Sequence, residues 1–191
     1  MCSSDLIDFE GAHLRGSINV GIQGQYATWC GTVLDHQRPI VVIAEPGGEQ
    51  EAVMRLGRIG FDNVAGCLRD GMDALAQRAD LIGRIDRMTA VALSEQLDSP
   101  DAPLVLDVRS EKEWTARRIP DSLNIPLNRL RDHLQELPAG RPIVVHCEGG
   151  YRSAIAASLL TKAGVTAVYD LVGGCNAWTA SRLPVAGTSV A

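Results

Sequence analysis

The chain is organised around the stretch Pro142-Ile-Val-Val-His-Cys147-Glu-Gly-Gly-Tyr-Arg152-Ser153. Its β-branched residues 143–145 predict a buried strand that ends at His146-Cys147. Residues 148–151 extend neither a strand nor a helix easily, so we predict a tight loop there. A helix rich in alanine and leucine is predicted to follow over residues 154–163. Cys147 is therefore expected where a parallel strand ends and a helix begins.

A cysteine in this position is suited to nucleophilic chemistry. The backbone N–H groups of the loop and of the first helical turn carry partial positive charge and favour an anion. Two glycines let the backbone curl so that several N–H groups converge, an arginine adds a full charge, and Ser153 is suited to cap the helix. We therefore predict a Cys147 thiolate, and not a structural cysteine, held by a loop made of Glu148, Gly149, Gly150, Tyr151, Arg152 and Ser153.

Over about residues 80–187 the chain resembles the rhodanese-type sulfurtransferases. The motifs that carry the resemblance occur in the family's order at residues 104–109, 113–126, 147–153 and 172–178. The second motif departs from the family at Arg118 and Asp121, where histidine and glycine are commoner. Four motifs in the right order make the resemblance specific.

The resemblance implies a ping-pong sulfurtransferase. Cys147 would take sulfane sulfur from thiosulfate or a low-molecular-weight persulfide, and would pass it to a thiol or to cyanide. Arg152 would attract the anionic donor and help to hold the loop. A small-molecule donor and a thiol acceptor are thus the expected partners, and neither a metal nor an organic cofactor is implied in this chain.

Further residues are expected to support the loop. By resemblance, Asp107 and Arg109 lie near it and brace it, and Arg109 is placed to pair with Glu113 in the following helix. Trp178 is expected to be a core aromatic that packs near the loop. His146 precedes the nucleophile and should point to the opposite face of the strand, which favours a structural residue over a general base.

Two alternative functions remain open from the residues alone. Cysteine phosphatases and arsenate reductases of related fold use Cys-x5-Arg loops, whereas the loop here has one residue fewer between Cys147 and Arg152. A smaller ring of N–H groups suits a single sulfur better than a tetrahedral oxyanion. The other alternative is a non-catalytic rhodanese-like binding module, which the complete loop at Cys147 disfavours.

An internal repeat predicts two modules. Residues 39–48 match residues 142–151, and three further blocks match at nearly the same offset, including Gly71 with Gly174. We predict an α/β fold with two rhodanese-like modules, each a mostly parallel sheet with helices on both faces. Residues 1–80 would be a degenerate, N-terminally incomplete module with Ala44 in place of the nucleophile, and residues 81–187 the catalytic domain.

The hydrophobic periodicity predicts the individual elements. In the second module we predict strands at residues 82–86, 104–108, 142–147 and 167–171, with another short strand after Ser122. Helices are predicted there at residues 89–97, 111–116, 127–136, 154–163 and 175–181. In the first module we predict strands near residues 40–44 and 63–67 and helices near residues 25–34, 49–58 and 72–78.

Composition excludes several classes of protein. The net charge of −5 and the scattered basic residues argue against a nucleic-acid partner. No apolar run approaches about 18 residues, so no membrane span is expected. The five cysteines are widely spaced and odd in number, which favours the reducing cytoplasm and predicts neither a disulfide framework nor a metal site. Three of them, Cys30, Cys67 and Cys175, are predicted to be small apolar fillers.

The first module also resembles part of a larger enzyme. Its residues 24–31 are similar to the region after the catalytic domain in bacterial metallo-β-lactamase-fold persulfide dioxygenase–rhodanese fusions. This resemblance implies an upstream domain with that fold, which would carry the metal chemistry outside the 191 residues.

Overall fold

The computed structural model describes residues 6–188. The chain divides into two compact units, residues 1–84 and 85–191. The sequence places the boundary slightly earlier, between residues 80 and 81. None of the helices that residues 6–188 form is long and apolar enough to cross a membrane.

The first unit contains short helices and strands. In chain order they are α1 (Leu6–Gly11), β1 (His13–Leu14), α2 (Tyr26–Val33), β2 (Ile40–Val42), α3 (Glu49–Gly57), β3 (Val64–Cys67), 3-10 helices at Gly71–Leu75 and Ala79–Leu81, and β4 (Ile82–Gly83). β1 and β4 pair antiparallel, whereas β2 and β3 pair parallel. The expected single, mostly parallel sheet is therefore not seen in this unit, because the described residues supply no counterpart to the strand that begins at Leu104.

The second unit is an α/β domain. Its elements are β5 (Asp86–Met88), α4 (Ala90–Leu97), β6 (Leu104–Asp107), α5 (Glu111–Ala116), β7 (Leu123–Asn124), a 3-10 helix at Leu130–Glu136, β8 (Ile143–His146), α6 (Tyr151–Lys162), β9 (Val168–Leu171) and α7 (Gly174–Ala180). The strands form one sheet in the order β5-β9-β8-β6-β7, and each neighbouring pair is parallel. The predicted α/β fold with a parallel sheet and helices is confirmed for this unit.

Burial explains why β8 lies at the centre of this sheet. All four of its residues are buried, as expected for a strand covered on both faces. One face packs against α4 and α7 in a cluster that includes Leu93, Val144 and Trp178. α6 contacts β8 and β9 and also the 3-10 helix. The sheet thereby fixes the position where β8 ends and Cys147 follows.

Three elements that the sequence predicts for the second module differ in the structure. The predicted strand at 82–86 is divided, because Ile82–Gly83 pairs with β1 and the sheet strand begins only at Asp86. The predicted α-helix at 127–136 is a shorter 3-10 helix over Leu130–Glu136. The helix predicted at 154–163 begins earlier, at Tyr151, because Gly150 takes the left-handed conformation and occupies the N-cap position.

Candidate active site

Cys147 lies directly after β8, and only 2% of its surface is exposed. The Gly150 N–H donates to its Sγ atom over 3.1 Å. The Cys147 thiol donates to Ser153 Oγ over 3.7 Å, and the Ser153 hydroxyl donates to the Gly150 carbonyl over 2.9 Å. The loop thus encloses the sulfur and provides it with a backbone N–H donor.

The shape of the loop depends on Gly150. Its φ of 118° is a conformation that side chains with a Cβ rarely adopt. This turn directs the Gly150 N–H to the sulfur and starts α6, whose twelve residues add the partial positive charge of a helix N-terminus. Ser153 is therefore in the first turn of α6, which corrects its predicted place as the capping residue.

The N-terminus of α7 fixes the other side of the loop. The N–H of Cys175 donates to the Cys147 carbonyl over 2.8 Å, and the N–H of Asn176 donates to the Glu148 carbonyl over 3.0 Å. Gly174 has a φ of 54°, and a Cβ on it would collide with the Cys147 carbonyl oxygen. Sequence reasoning missed these two contacts, although the Gly-Gly pair at 173–174 marks the close approach.

A buried arginine connects the loop to β6. Arg109 and Asp107 are 2% and 0% exposed at their side chains, and Arg109 Nη2 donates to Asp107 Oδ2 over 2.7 Å. Arg109 also donates through Nη1 to Glu148 Oε2 over 2.8 Å. The expected pairing of Arg109 with Glu113 is wrong, because the guanidinium turns toward the loop. Arg109 therefore contacts the loop directly, and Asp107 reaches the loop through Arg109.

Arg152 is the arginine that pairs with Glu113. Its two Nη atoms donate to the two carboxylate oxygens over 2.9 and 2.7 Å. Glu113 is also held at the start of α5, where Ser110 and Glu113 form a reciprocal capping box. The Arg152 charge is therefore matched by a carboxylate within the site, and Arg152 links α5 to the first turn of α6.

This pair predicts an acid-sensitive contribution to stability. The hydrogen bonds from Arg152 outweigh partial burial and, with those of Ser110, lower the pKa of Glu113 from 4.5 to about 2. A carboxyl whose pKa is lowered in the folded state contributes its full stabilisation of the fold at any pH above its unfolded pKa. For Glu113 this contribution is therefore lost as the pH falls from about 4.5 toward 2. We expect Glu113→Gln to reduce the free energy of unfolding more at pH 6 than at pH 3, measured by urea unfolding. An equal reduction at both values of pH would contradict the pairing.

Arg117 also contacts the loop, and sequence reasoning missed it. Its Nη2 donates to Glu148 Oε1 over 2.6 Å, and the Arg117 carbonyl accepts a hydrogen bond from Arg109 Nη2 over 2.6 Å. Its neighbour Arg118, which stands where the resembled family usually has histidine, stacks 4.3 Å from the centre of the Trp114 ring. The only signal for Arg117 was its position in the second motif.

Trp178 and His146 are both buried. Trp178 belongs to the core cluster between the sheet, α4 and α7, and its Nε1 donates to the Pro184 carbonyl over 2.7 Å. It lines a groove with Leu104, at the amino end of the parallel strands, so its predicted position near the loop is wrong. His146 is fully buried, with Nε2 3.6 Å from Asp107 Oδ2, and burial lowers its pKa. An imidazole buried in this way agrees with a structural residue.

The other described cysteines differ in exposure. Cys30 and Cys175 are fully buried, and burial raises the pKa of both thiols, that of Cys30 to about 12. Cys67 is exposed at the end of β3, so the prediction that it fills an apolar core is wrong. The sulfur of Cys147, in contrast, accepts a hydrogen bond from a backbone N–H at the start of a helix.

The comparisons with known proteins agree with this geometry. The family model for the rhodanese-like domain matches residues 89–181. A sulfurtransferase of Allochromatium vinosum is 31% identical over 101 residues, which cover 53% of this chain and 94% of that protein. An adenylyltransferase and sulfurtransferase of Ogataea parapolymorpha is 36% identical over 87 residues, but these cover 44% of this chain and only 22% of that protein.

A solved structure gives the same result. The rhodanese-like domain of an Anabaena sp. protein aligns with a TM-score of 0.51 and 28% identity, over 55% of this chain and 83% of that one. The residues that the family model matches all lie in the unit that holds Cys147. The chain therefore belongs to the rhodanese-like family, and its second unit is the rhodanese-like domain.

Proposed function

We propose that the second unit is a sulfurtransferase that carries sulfane sulfur on Cys147. The proposal depends on one observation, the hydrogen bond that the Gly150 N–H donates to the Cys147 sulfur between the end of β8 and the start of α6. Such a site stabilises negative charge on sulfur. The relatives named as sulfurtransferases support a role in sulfur transfer. Thiosulfate or a low-molecular-weight persulfide is the proposed donor, and a thiol or cyanide is the proposed acceptor.

The first half-reaction loads the cysteine. The Cys147 thiolate attacks the outer sulfur of the donor, a new S–S bond forms, and the donor's S–S bond breaks. The electron pair of the broken bond leaves with sulfite when the donor is thiosulfate, or with a thiolate when the donor is a persulfide. Cys147 is left as a persulfide, and the loop N–H groups stabilise its terminal sulfur when that sulfur is anionic.

The second half-reaction removes the transferred sulfur from Cys147. An acceptor thiolate attacks the terminal sulfur of the Cys147 persulfide and leaves as a new persulfide, which restores the Cys147 thiolate. Cyanide reacts in the same way and leaves as thiocyanate. His146 is fully buried, and its Nδ1 lies 3.2 Å from the Cys147 carbonyl oxygen, so the ring is held against the backbone and is not proposed as a base. The chain's own residues serve to orient the sulfur and to exclude water from it.

Mass spectrometry tests this proposal directly. After incubation with thiosulfate or with a thiol persulfide, we expect the peptide that contains Cys147 to gain the mass of one sulfur atom. Subsequent cyanide should remove that mass and release thiocyanate. Loading of another cysteine in place of Cys147, or of none with either donor, would contradict the proposed function.

We also propose that the first unit is a degenerate copy of the same module. Its strand β2 is followed by α3 and pairs parallel with the next strand, β3, just as β8 is followed by α6 and pairs parallel with β9. A Cβ on Gly71 would lie 2.8 Å from the Ala44 carbonyl oxygen, which parallels the approach of Gly174 to Cys147. With alanine in place of the nucleophile, a role in sulfur chemistry is not proposed for this unit.

A further inference from the structure

The charges around the loop balance one another. Three guanidinium groups contact the loop or its first helical turn, and each is bound by carboxylate. Arg109 pairs with Asp107 and Glu148, Arg117 pairs with Glu148, and Arg152 pairs with Glu113. Three arginines thus face three carboxylates, and the positive charge that the arginines bring to the site is matched.

Glu148 stands out among these carboxylates because of its position. It is the residue directly after the nucleophile, and it contacts two arginines at once, with Oε2 on Arg109 over 2.8 Å and Oε1 on Arg117 over 2.6 Å. The side chains of Glu148 and Arg117 are 36% and 38% exposed, whereas Arg109 is 2% exposed. Glu148 therefore presents its negative charge at the solvent side of the loop.

This placement bears on which donor can approach Cys147. Thiosulfate is a dianion at neutral pH, and its leaving group, sulfite, is also an anion. A carboxylate beside the nucleophile repels such a donor, and the arginines that would attract it are already neutralised. A thiol persulfide brings at most one charge at its reacting sulfur, so the same carboxylate costs it less.

We propose that Glu148 is a specificity-determining residue, which makes this site selective for thiol persulfides over dianionic sulfur donors. The inference rests on the proposed function and narrows its donor class. In the favoured reaction the Cys147 thiolate attacks the outer sulfur of R–S–SH. The new Cys147 S–S bond forms, the donor S–S bond breaks, and the electron pair leaves with R–S⁻. The outer proton stays on the Cys147 persulfide until it passes to water.

The test compares two donors in the 191-residue chain and in its Glu148→Gln variant. The donors are thiosulfate and the persulfide of 2-mercaptoethanol, which carries no charge outside its sulfurs. We expect the substitution to raise kcat/KM for thiosulfate roughly five- to tenfold at low ionic strength, because it removes one repelling charge and leaves Arg109 and Arg117. For the persulfide, kcat/KM should change by less than about twofold.

Two controls separate selectivity from structural support. Glu95→Gln removes the same charge as Glu148→Gln, but on an exposed residue of α4, and should leave kcat/KM for both donors unchanged. Arg117→Gln should act in the opposite sense to Glu148→Gln and lower the thiosulfate rate more than the persulfide rate. High salt should abolish the gain in kcat/KM for thiosulfate that Glu148→Gln produces, because the Debye length at about 1 M salt is only roughly 3 Å.

The outcomes distinguish the inference from the function. An unchanged donor preference in Glu148→Gln, or an equal fall for both donors with a lower melting temperature, would overturn the selective role and leave sulfur transfer intact. The absence of Cys147 loading by either donor in the wild-type chain would overturn the proposed function and the inference with it. The inference is supported if Glu148→Gln shifts the ratio of kcat/KM values toward thiosulfate and Arg117→Gln shifts it toward the persulfide.

Discussion

Cys147→Ser is expected to abolish sulfur transfer, to below about one thousandth of the wild-type rate. A serine hydroxyl is not ionised at neutral pH and cannot carry a persulfide sulfur. The fold should be retained, because the new side chain is slightly smaller and the Gly150 N–H keeps an acceptor within the loop. The measurement is steady-state production of thiocyanate from either donor, beside a thermal melt.

The control for this prediction is Cys67→Ser. Cys67 is an exposed cysteine in the first unit, so the same chemical change there should leave turnover unaffected. Substantial turnover by Cys147→Ser, with normal melting, would show that another group carries the sulfur. Loss of activity in both variants would show that the assay reports a general effect of serine substitution and not the nucleophile.

Asp107→Ala should have the largest effect on stability. The substitution leaves the Arg109 guanidinium, which is 2% exposed, without the carboxylate that binds it through Nε and Nη2. Removing one partner of a buried ion pair costs about 3–5 kcal/mol, and the partly exposed Glu148 on Nη1 compensates the buried Arg109 charge only in part. We expect the free energy of unfolding of the second unit to fall by about this amount, measured by urea unfolding, and activity to fall with it.

The chain contains a matched control for this pair. Arg78 and Asp80 are also two residues apart and also paired through Nε and Nη2, but their side chains are 57% and 62% exposed. Because an exposed ion pair is solvated and screened, Asp80→Ala should not change unfolding measurably. A similar loss in both variants would mean that burial does not decide the strength of the Asp107–Arg109 pair.

The sequence by itself determined the local architecture of the site. The β-branched run before Cys147, the two glycines after it and the helix-forming residues beyond them act over a few residues, so they could be read without a fold. The same holds for the Ser110–Glu113 capping box and for the Gly-Gly pair that starts α7. Each of these signals is a backbone preference, which neighbouring residues largely set.

Only the tertiary structure decided which charges meet. Arg109 pairs with Glu148 and Arg152 with Glu113, and each pair joins residues 39 positions apart in the chain. The nearby choice, Arg109 with Glu113, fails because Asp107 and the loop take up the Arg109 guanidinium. The predicted position of Trp178 near the loop fails for a similar reason. The packing of α7 against α4 sets where its side chain lies, and closeness to the loop motif in sequence does not. Long-range partners depend on strand register and helix packing, which bring together side chains that no local pattern connects.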